Sequence, residues 1–124
     1  MKKAKGINGK LDTAWSLLIK LIAGHRCECC GKTSYLNSHH VHTRARMSTR
    51  WSVINGICLC VGCHIGNKFS AHKTPMSFGR WFEEYKGAEF VDLLIIKSNT
   101  TSKLHEFEKE LMLEDLKAQI NTYK

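Results

Sequence analysis

Two Cys-x-x-Cys pairs enclose the segment of the chain that is best equipped for chemistry. Cys27 and Cys30 form the first pair, and Cys60 and Cys63 form the second. Two residues between cysteines allow both thiolates to face one ion, and two such pairs complete a tetrahedral zinc site. We therefore predict one structural Zn²⁺ held by these four thiolates.

The two other cysteines and the first residues of the chain indicate whether the protein is reduced and cytoplasmic or secreted with disulfides. Cys29 and Cys58 lie one residue from a paired thiol, a spacing that suits a shared ion less well, so we expect ordinary packed thiols. A secreted disulfide framework is the alternative for all six cysteines. However, Met1-Lys2-Lys3 leads into an amphipathic stretch rather than a signal peptide, and no apolar run approaches transmembrane length. We expect a reduced, cytoplasmic protein with no membrane partner.

Histidine and asparagine side chains follow the first cysteine pair, in the order His39, His40, Asn55 and His64. A histidine with a near-neutral pKa can activate water. A single divalent ion can offset the charge of a phosphodiester transition state and assist the leaving oxygen. Simpler roles are also open: paired histidines can lie at the surface, Asn55 can form a turn, and His64 can supplement the zinc ligands.

Two strands and a helix are expected to position these residues. A strand is predicted from Tyr35 to Val41, and Asn55-Gly56 predicts a tight turn into a second strand at residues 57–59. Residues 60–72 are predicted to form a helix with one polar face. The members of that face are His64, Lys68 and His72. The histidines and Asn55 then converge at one end of a ββα unit.

The flanking segments are predicted to be mainly helical within a single domain, residues 1–124. Residues 1–10 form a basic arm, and a helix over 11–24 begins at Asp12 or Thr13. The zinc-framed core is residues 27–72. Residues 77–124 form the C-terminal helices, the first of which is capped by Ser77 and stopped by Gly87, followed by a helix over 88–97 and a last one after a polar break.

This order, with two histidines and an asparagine between the cysteine pairs and a third histidine directly after the second pair, resembles the HNH (ββα-metal) nucleases. The run Cys60-x-x-Cys63-His64 is similar to the zinc-containing branch of that family. A closer similarity to phage HNH proteins, including the NinG/Rap recombination proteins, rests on a wider set between Trp15 and Gly87. Its members are Cys30-Gly31-Lys32, Ser48-Thr49-Arg50-Trp51, Asn55-Gly56, Leu59-Cys60, His72, Pro75 and Trp81. The fold class implied is α+β, mainly helical, with a small ββα-metal core stapled by a four-cysteine zinc site.

The resemblance implies a role for each residue of the centre. His40 is the general base, and His39 and His64 are ligands of a catalytic divalent ion. Asn55 acts indirectly by bonding backbone across the loop. Some family members have another ligand one turn beyond the last histidine, where this chain has Lys68. This favours a looser, water-rich site that takes Mg²⁺ or Mn²⁺, with Zn²⁺ and Ni²⁺ as alternatives. Separately, we expect His72 to be structural, or to support the site from outside the ligand set, rather than to bind the ion.

The charge of the chain points to a polyanionic partner. Lys and Arg number 19 against 11 Asp and Glu, which gives a net charge of +8. Arg44, Arg46 and Arg50 occupy the loop before Asn55, and together with Lys68 they are expected to grip backbone phosphates. We expect a metal-dependent DNA endonuclease that nicks strands, with branched recombination DNA and a phage or prophage origin implied by the resemblance. The alternative is a non-catalytic zinc-knuckle DNA-binding accessory protein.

The last helix carries a long apolar stripe outside the region of resemblance. Its members are Leu104, Phe107, Leu111, Leu116 and Ile120. An exposed stripe of this kind often marks an interface. Two outcomes are therefore expected with equal weight: a homodimer through this helix, or packing of the helix onto residues 88–97.

Overall fold

The computed structural model describes residues 6–100 and 103–124 as an α+β arrangement, as the sequence predicts. Four α-helices surround a two-stranded antiparallel sheet. In chain order the elements are α1 (Ile7–Ile22), β1 (Leu36–His40), β2 (Gly56–Cys60), α2 (Pro75–Lys86), α3 (Ala88–Asn99) and α4 (Glu106–Asn121). Lys2, Lys3 and Lys5 of the predicted arm lie outside the described residues. No helix in those described ranges is long and apolar enough to cross a bilayer.

Helix α1 begins earlier than its sequence signals indicate. It starts at Ile7 after Gly6, so the predicted start at Asp12 or Thr13 is wrong, and Lys10 belongs to the helix rather than to the arm. Asp12 does not cap the helix because its carboxylate accepts hydrogen bonds from distant side chains instead. Trp15, Leu18 and Ile19 of its apolar period lie on the buried face of the helix, whereas Ile22, which continues that period, is 50% exposed.

The sheet sets the direction of the two adjacent histidines. His39 lies opposite Ile57, and His40 lies opposite Gly56. Successive residues of a strand face opposite sides, so His39 and His40 project to different faces. Gly56 is extended, with φ −115°, so the predicted tight turn at Asn55-Gly56 is wrong. A Cβ at Gly56 would collide with Ile19 of α1, which explains why a glycine suits this close approach.

The long helix predicted over residues 60–72 is wrong. The chain forms only a short π-helical turn, Gly62–Gly66, closed by a 2.8 Å hydrogen bond from Asn67 N to Gly62 O. The two glycines disfavour a regular helix. The chain then returns: the amide of Ala71 donates to Cys63 O, and that of His72 donates to His64 O at 3.0 Å. This return places His72 directly beside His64.

Helix α2 begins at Pro75, two residues before the predicted cap at Ser77, which is wrong. Proline suits the first helical turn because its missing N–H has no intrahelical partner there. The predicted stop at Gly87 is confirmed, since that residue adopts φ +95°, which favours glycine. Helix α3 follows at once and runs through Ser98 to Asn99, into the segment predicted as a polar break.

Two apolar clusters cover the opposite faces of the sheet. One joins α1 and α4 with Trp51 and Cys58. The other joins Ile57, Leu59 and three of the four paired cysteines with α2 and α3. The alternation of β2 between these clusters explains why almost all of its side chains are buried. His39 and His40 therefore lie on the sides of the sheet that are covered by different apolar clusters.

Helix α4 packs against α1, so the expected packing onto residues 88–97 is wrong. Leu113, Leu116 and Ile120 are buried there. Phe107 and Leu111 of the predicted stripe are 62% and 65% exposed. The stripe is thus divided between a buried intramolecular face and a small exposed apolar pair.

Self-association through α4 stays a prediction, now restricted to that exposed pair. We expect the intact chain to sediment as a dimer and the double variant Phe107→Gln/Leu111→Gln as a folded monomer, because burying the pair drives the contact. Asp115→Asn, an exposed change on the same helix outside the depression lined by Phe107 and Leu111, is the matched control and should leave the dimer intact. An intact chain that stays monomeric at micromolar concentration contradicts the prediction.

Candidate functional site

The four paired cysteines converge at one point beside the sheet. The Sγ atoms of Cys27, Cys30, Cys60 and Cys63 all lie within 4.8 Å of one another. In each pair the amide of the second cysteine donates to the Sγ of the first, at 3.5 Å and 3.4 Å. These matching contacts give the two pairs the same knuckle geometry and stabilise thiolates. The cluster could hold a structural metal ion such as zinc.

The sulfur spacing fits a tetrahedral zinc ion. Zn–S bonds of about 2.3 Å at tetrahedral angles separate two sulfurs by about 3.8 Å. The Sγ atoms of Cys30 and Cys60 are 3.6 Å apart. Burial opposes ionisation of Cys27, but hydrogen bonds from the backbone of Cys60, Cys30 and Cys29 prevail and lower its pKa to about 7. Cys27 therefore reaches the thiolate form, which binds metal, near neutral pH, whereas burial and the neighbouring Cys60 and Cys30 raise the pKa of Cys63.

Glu28 ties the first knuckle to the rest of the core. Its carboxylate accepts a hydrogen bond from the amide of Cys58 at 2.7 Å and from the Tyr85 hydroxyl at 2.8 Å. The ammonium of Lys86 lies 3.8 Å away. One side chain inside the first pair thus fixes that pair against β2 and α2.

Three histidines form a second cluster at the end of β1. The ring nitrogens of His39, His64 and His72 offer ligand atoms within 4.8 Å of one another. Nε2 of His64 and Nε2 of His72 are 3.0 Å apart. Burial, and then the neighbouring His64 and His72, lower the pKa of His39 to about 3. Burial and His72 also lower the pKa of His64. Neutral imidazoles are the metal-binding form.

His72 is the member that the sequence analysis missed as a ligand candidate. The predicted helix pointed to Lys68 as the next position of the cluster, but Lys68 is exposed on the segment after the π-helical turn. The structure replaces the expected site of two imidazoles with one of three. The sequence places His72 on one predicted helical face with His64 but two turns away, and spacing alone does not show that the chain returns.

Asn37 adds an outer contact to this cluster. Its side-chain amide lies 3.3 Å from Nδ1 of His64. The two ends of an amide are related by a 180° flip. The atom that faces His64 is Nδ2, which donates to Nδ1. Only the flipped amide, with its oxygen toward His64, would accept the Nδ1 proton and leave Nε2 with a lone pair for an ion, the arrangement common around metal-bound histidines.

His40 occupies the opposite face of β1 from His39. Its ring stacks on Trp15, with centroids 3.8 Å apart and planes 11° from parallel. Nε2 of His40 lies 2.8 Å from the carbonyl oxygen of Arg50. A carbonyl only accepts, so Nε2 carries the proton and Nδ1 has the lone pair. Burial lowers the pKa of His40, which keeps the ring neutral and able to accept a proton.

Asn55 closes the loop that joins the two strands. Its side chain is fully buried. Its Oδ1 accepts from the amide of His42 at 2.7 Å, and its Nδ2 donates to the carbonyl of His42 at 3.0 Å. The amide of Val41 also donates to the Asn55 carbonyl. These contacts fix the backbone directly after His40, so Asn55 can act on that residue only through the chain.

A cleft of about 790 Å³ joins the two sets of histidines. His39, His64 and His72 line one part of it, and His40 lines another. The walls come from α1, with Asp12, Trp15 and Ser16, and from α2, with Pro75, Phe78, Gly79 and Phe82. A neutral imidazole and a potential metal site therefore face one solvent-accessible space.

The predicted phosphate-binding arginines are engaged differently from one another. Arg50 donates to both carboxylate oxygens of Asp12, at 3.1 Å and 2.8 Å. Arg46 donates to Oδ1 of Asn99 at 2.7 Å. Arg44 lies 3.6 Å from Asp12, but its side chain is 65% exposed, and it also lines the cleft. Of the three, Arg44 is the best placed to contact an approaching phosphate.

Searches of known protein families, curated proteins and solved structures returned no match to this chain. The class of site is therefore defined by its own geometry: a thiolate cluster suited to a structural metal, beside a histidine cluster suited to a second ion.

Removing His72 should weaken binding at the histidine cluster. We expect His72→Ala to need at least about tenfold more Mn²⁺ for half-maximal occupancy, because the loss of even an outer-shell partner typically costs 10- to 100-fold in affinity. Lys68→Ala is the matched control and should leave the Mn²⁺ affinity unchanged. Calorimetric titration of zinc-loaded protein measures both. Equal Mn²⁺ affinities for the wild type and His72→Ala would remove His72 from the site.

Proposed function

We propose that this protein is a metal-dependent DNA endonuclease of the ββα-metal type. One observation carries the proposal: a neutral histidine with a fixed tautomer faces the same cleft as three clustered imidazoles. Phosphodiester hydrolysis needs both a base for water and a cation for the phosphate. The cysteine cluster supplies a rigid frame for both, with zinc as its metal.

The histidine cluster would hold the catalytic divalent ion through His39, His64 and His72. When bound, that ion supplies charge neutralisation at the scissile phosphate. Mg²⁺ and Mn²⁺ remain candidates from the sequence, but three imidazole nitrogens suit Ni²⁺ or Zn²⁺ better than the oxygen-preferring Mn²⁺ and Mg²⁺. This donor set shifts the expectation from Mg²⁺ or Mn²⁺ in a water-rich site toward the alternatives Ni²⁺ and Zn²⁺.

His40 is the proposed general base. Its Nδ1 takes a proton from a water molecule as the water oxygen forms a bond to phosphorus. The bond from phosphorus to the 3′ oxygen breaks, and that oxygen takes a proton from solvent. The products are a 5′-phosphate and a 3′-hydroxyl. Asn55 contributes through its two side-chain hydrogen bonds to the backbone of His42. These bonds fix the chain two residues after His40 and so help to hold His40 in position.

Arg44 is proposed to anchor the DNA backbone, whereas Arg50 is structural. We expect Arg44→Gln to weaken DNA binding equally for all sequences and to reduce the slope of log affinity against log salt by about one. Arg50→Gln should instead lower the melting temperature, because it leaves Asp12 without its bidentate partner. Fluorescence anisotropy across a salt series, with thermal melts of both variants, tests the pair. Arg44→Gln with an unchanged slope contradicts this assignment.

End-labelled duplex and four-way-branched oligonucleotides test the proposed function. Zinc-loaded protein with Mn²⁺ should cut both and leave 5′-phosphate ends, with branched recombination DNA preferred by analogy to the NinG/Rap resemblance. Binding without cleavage in every divalent metal would instead support the non-catalytic zinc-knuckle DNA-binding protein. The same resemblance motivates placing the activity in the bacterial cytoplasm.

A further inference from the structure

We propose that α1 is part of the active centre, with Trp15 and Asp12 acting as positioning residues for His40. The inference rests on the proposed function for its kinetic consequence, but its geometric basis is independent. Both residues come from a helix that lies outside the ββα unit, and neither is a ligand candidate. They sit three residues apart, on the same face of α1.

Trp15 fixes the plane of the His40 ring. The two rings are nearly parallel at a centroid distance of 3.8 Å. Trp15 is itself held in place, because its Nε1 donates to the carbonyl of Ser52 at 2.8 Å. Its indole also lies against Gly56, where an added Cβ would come within 2.8 Å of Cζ2. Because these contacts hold the indole of Trp15 in place, the indole cannot turn together with the His40 ring. The stacked indole therefore restricts rotation of the His40 ring.

Asp12 fixes the hydrogen-bond partner of the same histidine. Its carboxylate accepts two bonds from the guanidinium of Arg50 and one from Nε1 of Trp51 at 2.7 Å. The carbonyl of Arg50 accepts the proton from Nε2 of His40. Asp12 therefore holds, through a bidentate pair, the residue whose main chain selects the tautomer of His40.

Together the two contacts determine which atom of His40 is available and in which direction the ring lies. Stacking restricts rotation of the ring out of its plane, and the Arg50 carbonyl opposes a ring flip that would exchange Nδ1 and Nε2. General-base catalysis depends on both, since a misplacement of about 1 Å can cost 10²-fold in rate. The packing of α1 on α4 and on β2 makes this support rigid.

Kinetics on zinc-loaded protein with Mn²⁺ test the proposal. Asp12→Ala and Trp15→Leu should lower kcat by about tenfold to a hundredfold with KM changed less than about threefold. Asp12→Asn and Trp15→Phe, which keep an acceptor and a flat ring, should recover most of the loss. Leu18→Ala is the matched control, because it disturbs the buried face of the same helix without touching His40. Its kcat, measured below its melting temperature, should be near that of the wild type.

A double-mutant comparison and a spectroscopic readout complete the test. In the His40→Ala background, Asp12→Ala should have no further effect on residual cleavage, because the ring it positions is gone. Long-range ¹H–¹⁵N spectra should show His40 protonated at Nε2 in the wild type and as a tautomer mixture in Asp12→Ala. Unchanged kcat and an unchanged tautomer in Asp12→Ala would overturn the inference, and so would equal losses in Leu18→Ala. A wild type that cleaves no DNA would instead refute the proposed function, while the tautomer measurement would still decide the inference.

Discussion

Replacing His40 with alanine should lower the rate of DNA cleavage by about 10²- to 10⁴-fold, the usual contribution of a positioned general base. Zinc content and DNA affinity should stay unchanged, because His40 is not one of the clustered cysteine ligands and its ring hydrogen-bonds only to the carbonyl of Arg50 among the described residues. The substitution removes the neutral Nδ1 while leaving the histidine cluster on the other face of β1 intact.

His42→Ala is the matched control for this change. His42 lies two residues further along, and Asn55 holds it through backbone atoms that alanine retains. Its activity should therefore stay within a few-fold of the wild type.

Because burial lowers the pKa of His40, wild-type cleavage should persist as the pH falls through the ordinary range of histidine near 6.5 and decline only below it. Near-normal turnover of His40→Ala would contradict the assignment.

Removing the metal from the cysteine cluster should unfold the protein. Structural zinc sites in small peptides bind with about 10–16 kcal/mol, which matches or exceeds the total stability of about 5–15 kcal/mol typical of a domain. Three of the four thiols are embedded in the apolar cluster under α2 and α3. We expect Cys27→Ser to lose stoichiometric zinc and to show no cooperative thermal transition by circular dichroism.

Cys29→Ser provides the matched control for the zinc prediction. Cys29 lies in the same loop and is half-buried, but it is not one of the four clustered ligands. Its zinc content and melting curve should resemble those of the wild type. A Cys27→Ser protein that is equally folded and equally zinc-loaded would rule out the proposed ligand set.

Much of this architecture was predictable because it is determined by the spacing of residues close together in the sequence. The alternation of β1 places His39 and His40 on opposite faces, and the Cys-x-x-Cys spacing brings each thiol pair together. The apolar period of α1 likewise marks its buried face. In each of these cases the relevant contacts are made within a few residues of one another.

The remainder depends on contacts that local spacing does not encode. The prediction of one polar face with His64, Lys68 and His72 assumed that residues 60–72 form a helix. Instead, the chain folds back on itself, and the amides of Ala71 and His72 donate to the carbonyls of Cys63 and His64. Asp12 resembles a helix cap in sequence, but tertiary hydrogen bonds engage its carboxylate. Helix α4 could pack on several apolar faces, and only the three-dimensional fit with α1 selects one.

The most direct test of the central claim is the nicking of supercoiled plasmid by zinc-loaded protein, first in a weak chelator and then with excess Mn²⁺ or Mg²⁺. We predict no conversion to open circles in chelator, rapid conversion once the divalent ion is added, and no comparable conversion by His40→Ala under either condition. Nicking that is equally fast in chelator, or that survives undiminished in His40→Ala, would contradict a metal-dependent mechanism based on this histidine. Plasmid that stays supercoiled with every divalent ion would contradict nuclease activity altogether.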